Sequence, residues 1–370
     1  MRDPTFEPHP RPRPRRWPIV LPLALVVVLA AGWAGFWYYA AGRAQAEFAA
    51  WRGREAARGR VFTCDGEEFS GFPFRFELSC AAPTLREPRI TFKSADLHAA
   101  AQVYQPNLAI AEFRGPLTIV EDGGAGGTVD WALAQASLSG LVSGSRRLAL
   151  VLDKPAVTPL GGGERLATAA HMELHAREAP RLPQDPPALD VALNLSQALL
   201  SGIPRVPNTP LDADVSATVR NFTDFSPKPW RQMLRDFQAA DGRLEIKQAR
   251  VRQGTILASG QGSLSLTERG TLDGQINLTI AGLEQLMSVL GIDKAVGQAS
   301  QNAIDRLVPG LNLGKLFGPR GNASLAAAGA AMLGQPAELE GRQAVTLPLR
   351  FADGAVFLGP LKVGEMGPVF

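Results

Sequence analysis

The chain has 370 residues, 45% of them apolar and 20% charged, which excludes an intrinsically disordered protein and predicts folded units with a core of their own. The formal net charge of +3 divides unevenly: residues 1–60 hold ten arginines against four acidic groups, so the remaining residues balance at −3. A mildly acidic body without a basic stripe excludes nucleic acid as a partner.

Residues 1–17 read as a basic cytoplasmic tail. From Ile19 to Tyr39 run 21 residues without a charge, about 31 Å as a helix, which matches a bilayer's hydrocarbon core. Pro18 and Pro22 fall near its start, where missing amide donors cost least. Trp17 marks one end, and Trp33, Phe36, Trp37, Tyr38 and Tyr39 crowd the other, as in the aromatic belts of a spanning helix. The pattern predicts a membrane helix over 18–41, with Ile19, Leu29, Trp33, Trp37 and Tyr39 among its anchoring residues. Ala44-Gln45-Ala46 offers a cleavage pattern, but the apolar run exceeds the roughly 7–15 residues of a cleavable signal. The five arginines of the tail place that end in the cytoplasm and the body across a bacterial inner membrane, in the periplasm.

Residues 42–60 continue as a juxtamembrane helix, with Phe48 and Trp51 expected among the headgroups. Cys64 and Cys80 are the only cysteines. Phe62/Cys64 and Phe74/Phe76/Leu78/Cys80 alternate, so both thiols point to the apolar side, where they can meet. A bridge there adds about 3 kcal/mol in the chain-entropy model and needs an oxidising compartment; two separate buried thiols are the alternative.

Beyond them the period is two, as in Leu148/Leu150/Leu152, Val191/Leu193/Leu195, Ile276/Leu278/Ile280 and Val345/Leu347/Leu349/Phe351. Such alternation marks strands with one buried and one wet face. Glycine-rich turns separate them, and Asp353-Gly354 is a hairpin signal. Helical patterns are confined to 226–240 and 282–307, and a soft boundary near 225 divides the body into 61–225 and 226–370. The fold expected is mainly β with a few helices (α+β): a transmembrane helix followed by a curved, largely antiparallel sheet.

A search for chemistry finds little. His171 and His175 are four apart, but Met172 and Leu174 alternate around them as in a strand, and no glutamate completes H-E-x-x-H. The glycine runs at 123–127 and 161–163 lack the Lys-Ser/Thr of a phosphate loop, and no G-x-S-x-G occurs. Asp96, Glu112, Asp130 and Glu173 form no recognisable pair. The expectation is a protein that is not an enzyme and uses no metal or cofactor. Phe72, Phe74, Arg75 and Phe76 form the candidate surface for a ligand or partner.

Cys64, SGFPFRFELSC (70–80), VYQPNLAIAEFRGPLTI (103–119) and LPLRFADGAVFLGPLKVG (347–364) together resemble an uncharacterised bacterial family, DUF2125. The resemblance implies an N-terminally anchored envelope protein and carries no catalytic residues. More loosely, RLEIKQARVRQGTILASGQGSLSLTERGTLDGQINLTIAGL (243–283) is similar in rhythm to AsmA-like envelope proteins, implying a long sheet with an apolar groove used in lipid movement. Two functions follow as expectations: a module binding lipid or another apolar ligand beside the bilayer, or an assembly factor contacting other envelope proteins without a small ligand.

Overall fold

The computed structural model describes residues 17–140, 144, 146–180, 184–201, 208–221, 230–282, 285, 334–358 and 361–370. The helix expected over 282–307 lies outside them, apart from residues 282 and 285.

The first element, α1 (Trp17–Ala57), is one unbroken helix of 41 residues, about 62 Å long. The spanning and juxtamembrane segments are therefore a single rod. It stops where Gly59 adopts a positive φ of 80°, the left-handed conformation that ends a helix at low cost.

The next strands come as two halves of longer runs: β1 (Val61–Thr63) with β2 (Gly66–Ser70), β3 (Arg75–Ala81) with β4 (Thr84–Arg86), and β5 (Ile90–Lys93) with β6 (Asp96–Gln102). They continue as β7 (Gln105–Arg114) with β8 (Leu117–Glu121), β9 (Gly126–Asp130) with β10 (Leu133–Ser139), β11 (Arg147–Asp153) with β12 (Ala156–Pro159), and β13 (Ala167–Thr168) with β14 (His171–Glu178). Unbroken strands follow: β15 (Ala188–Leu200), β16 (Leu211–Arg220), β17 (Arg243–Gln253), β18 (Ile256–Leu266) and β19 (Leu272–Ala281). The last are β20 (Gln335–Leu339), β21 (Arg342–Ala352), β22 (Ala355–Leu358) and β23 (Leu361–Glu365). The second helix, α2 (Trp230–Ala239), lies between β16 and β17.

Every pairing is antiparallel, and through β19 each run lies beside its neighbours in sequence, so the body is one large open meander. Pairing of β16 with β17, from Leu211↔Gln253 to Arg220↔Arg243, carries the sheet without interruption past residue 225. At the β21–β22 turn, Asp353 and Gly354 both have positive φ, the conformation that a two-residue hairpin demands.

The interruptions between paired halves line up across the strands as one crease. Along a run, Cys80 and Leu85, Phe92 and Leu97, Leu152 and Val157, and Leu195 and Leu200 are five residues apart yet belong to the same face. An unbroken strand would put them on opposite faces, so the runs shift phase at the crease. Facing runs mostly spend equal numbers of residues there, as between Ala81↔Asp96 and Thr84↔Lys93, so the ladder is interrupted rather than bulged. Ala82, Lys154 and Gln197 adopt positive φ at this point, and Gln197 also lies within a register shift of β15, a β-bulge in the strict sense.

One line of cross-strand neighbours shows the partition. Phe69, Leu78, Ala99, Ala111, Ala136, Leu150, Leu174, Leu193, Val215, Ala249, Gly260, Leu278 and Leu347 face each other in succession. On the reverse face the adjacent line reads Ser79, His98, Glu112, Gln135, Val151, Glu173, Asn194, Asp214, Arg250, Ser259, Thr279, Thr346 and Gln335, with one apolar member. At ~4.8 Å per strand the apolar line extends for roughly 58 Å. Little of it is sealed. Among the described residues, the buried apolar side chains larger than alanine are Trp37, Cys80, Leu257, Ile280 and Leu347.

Candidate functional site

Two stretches of α1 meet different surroundings. Val20 to Leu29 stand exposed, whereas from Trp33 onward the helix lies against the first strands. The indole N–H of Trp33 donates to the carbonyl oxygen of Pro73 at 2.9 Å, and that of Trp37 to the carbonyl of Arg75 at 3.0 Å. Trp37 also stacks on Phe76 with centroids 5.8 Å apart, meets Phe72 edge-on at 5.4 Å, and is left 5% exposed. Tyr38 stacks on Phe72 at 5.7 Å. Further along, Phe48 packs edge-on against Phe62 and Phe69, and Trp51 against Phe62. Phe48 and Trp51 thus cover the sheet's apolar face.

Where α1 ends, the two sides of the crease and the helix enclose an apolar hollow of about 290 Å³. Phe62, Leu85, Phe92 and Leu117 line it from the short strands, Leu97 and Phe113 from the long ones, and Trp51 from the helix. Its polar end is a buried ion pair. Arg60 donates through Nε to Glu55 Oε2 at 2.6 Å and through Nη2 to the same oxygen, while Arg58 Nη1 donates to Oε1 at 3.3 Å. Both Glu55 and Arg60 are buried, so neither can lose its partner without stranding a charge.

Cys64 and Cys80 are joined by a disulfide, with Cα atoms 5.4 Å apart. The bridge ties the first strand run to β3 at the crease, and Cys80 is fully buried.

Away from α1 the apolar face continues; its cover thins over the middle strands and returns at the far end, where Ile280 and Leu347 are buried. Leu148 is 45% exposed and Leu174 36%, and Val251 is similarly open. Leu148 and Leu174 lie on neighbouring strands and Val251 three strands further on, with Leu193 and Val215 half-buried between them.

The larger cavities, about 1050 and 570 Å³, lie on the reverse, polar face. Size alone does not make them the better site, because their polar groups already satisfy one another. Gln275 donates to Asn277 at 2.9 Å, and Thr279 and Thr346 share a hydrogen bond at 2.9 Å. Lys247 at 2.9 Å and Arg177 at 3.2 Å both hold Asp190. The bonds from Lys247 first, then Thr218 and Arg177, keep its carboxyl below the usual aspartate range. His171 and His175 lie on this face, in strand β14 as their alternation predicts. His171 Nε2 contacts Glu173 at 2.8 Å and its Nδ1 contacts Asp153 at 2.5 Å, and these carboxylates push its pKa upward, Glu173 the more. The polar face is solvated and many of its groups pair with one another, whereas the apolar one is half-open over its middle strands.

The remaining residues singled out from sequence fall into place around α1. Ile19 lies in its first turn and Leu29 in its exposed stretch, and Tyr39 is exposed as well. Phe72 and Phe74 project from the β2–β3 turn, while Phe76 is spent on Trp37. Arg75 pairs with Glu77 at 3.0 Å. The crease and the Glu55–Arg60 pair have no counterpart in the sequence reading. The five-residue jumps between apolar positions were the available signal for the crease.

Comparison with known proteins adds one match. The family model described as "Uncharacterized protein conserved in bacteria (DUF2125)" matches residues 37–366, which is nearly the whole body. The chain belongs to this family. No curated protein and no solved structure matches it. As a DUF2125 member it carries, ahead of its sheet, one helix long and apolar enough to cross a membrane, with nine-tenths or more of its apolar window unburied.

Proposed function

We propose that this protein is anchored in the bacterial inner membrane by α1, with its body in the periplasm, and that it holds or transfers acyl chains on the apolar face of its sheet. It would act as a binding module rather than a catalyst. The observation that carries the reading is the apolar line across thirteen strands, which starts beneath α1, is only half-buried over the middle strands and closes again at Leu347. The crease hollow gives that face an apolar recess beside the helix. The rhythm shared with AsmA-like proteins falls in β17 to β19 and agrees with this use. The disulfide fits an oxidising compartment, and the arginine-rich tail fits a cytoplasmic N-terminus.

A photoreactive phenylalanine analogue placed at Leu174, on the apolar face, and at Glu173, on the polar face, tests the reading in the full chain in native membranes. Lipid adducts at 174 and none at 173 are expected. Equal labelling at the two positions, or none at 174, sinks it. Protein adducts at 174 instead would favour an assembly factor that contacts other envelope proteins.

A further inference from the structure

Outside α1, the exposed aromatic side chains among the described residues are Phe72, Phe74, Tyr104 and Trp230. Three of them form one patch. Phe72 and Phe74 stand on the β2–β3 turn, 50% and 58% exposed, and Tyr104, 69% exposed, tops the neighbouring β6–β7 turn. The amide of Val103 donates to the carbonyl oxygen of Phe74 at 3.0 Å, which holds the two turns side by side. Trp230 lies seven strands further along the sheet and is not part of the patch.

The position of this patch along α1 is set by direct contact. Phe72 lies against Trp37 and Tyr38, Phe74 approaches Trp33 with centroids 6.4 Å apart, and both tryptophans are hydrogen-bonded to the same turn. These contacts fall where the exposed apolar stretch of α1 gives way to its docked half. A turn fixed there cannot move independently of the level at which the helix leaves the lipid. Tyrosine and tryptophan favour the headgroup boundary, where the ring is buried while its O–H or N–H stays among polar groups, and phenylalanine, with no polar atom, lies on the acyl side.

We propose that Phe72, Phe74 and Tyr104 form a lipid-contacting wedge that enters the headgroup–acyl boundary of the bilayer crossed by α1. The occupant is phospholipid, not a second protein, since the patch is continuous with the aromatic end of a membrane-length helix. The wedge holds the first strands on the membrane surface, with Phe76 and the apolar face directly behind it. This inference rests on α1 being an anchor; it does not require that the sheet hold lipid.

The test uses the full chain in vesicles of phosphatidylethanolamine and phosphatidylglycerol, with the photoreactive phenylalanine analogue at Phe74, Tyr104 or, as a control on the far edge, Asp122. Retention of the Cys64–Cys80 bridge checks that each variant is folded. Illumination should give phospholipid adducts at 74 and 104 and none at 122, read by intact mass. Inserted, alkali-resistant protein with no lipid adduct at 74 and 104, adducts to a second copy, or equal labelling at 122 overturns the wedge. Protein stripped from the vesicles by alkali refutes the anchor, and the wedge with it. Adducts at 74 without any at Leu174 would uphold the wedge while refuting lipid on the sheet.

Discussion

Beneath α1 the apolar face of the sheet is closed by Trp37, Phe48 and Trp51, while across β11 to β17 the same face continues with Leu148, Leu174 and Val251 half-open. Both regions arise from the same alternation of apolar and polar residues. What separates them is cover. The helix reaches only the first strands, so the closed region joins the long apolar helix to the body, while on the proposed reading the open one receives the ligand.

Substitutions can break that comparison, the largest effect falling at the joint. Trp37→Ala removes a buried indole that stacks on Phe76, meets Phe72 edge-on and hydrogen-bonds Arg75, so it should cost about 3–5 kcal/mol, read as a lower urea midpoint in lipid nanodiscs. If the cost is below about 1 kcal/mol, the helix is not docked as described. Opening the Cys64–Cys80 bridge by Cys80→Ser should cost about 3 kcal/mol, and limited proteolysis should then cut first near the crease rather than in β16 to β19. In the open region the expected outcome is reversed. Leu174→Asp should change stability by no more than about 1 kcal/mol, because its neighbours leave it part-exposed to water, yet lipid adducts from adjacent apolar positions should fall to background. A large loss of stability would mean that the face is a sealed core.

The smallest effects concern the polar face. The raised pKa of His171 means that the folded state favours its protonated form. Its contribution to stability is therefore full below 6.5 and fades as pH rises through the raised value. Asp190 behaves oppositely. Its carboxyl is held below 3.8, so its contribution is present above that value and lost as pH falls through the lowered one. A denaturation series should show His171→Gln flattening the slope above pH 6.5 and Lys247→Met the slope below pH 3.8. Neither should alter lipid adducts at Leu174, and a change there would tie the polar face to the ligand.

Much of this was legible in the sequence because it is local. An uncharged run of 21 residues is long and apolar enough for a membrane-length helix, because a helix satisfies its backbone internally whatever surrounds it. Alternation at period two determines strands with one wet face, and Asp353-Gly354 determines a tight turn through its need for positive φ. The facing of Cys64 and Cys80 was readable for the same reason. Only the tertiary structure decided that Trp37 is buried by the body, that the strand breaks align in one crease, and that Glu55 meets Arg60 beside an apolar hollow. Those facts depend on which surfaces are brought together across tens of residues. A pattern of hydropathy states which side of each strand avoids water, but cover is a property of the neighbour that arrives there, and here it arrives over only part of the face.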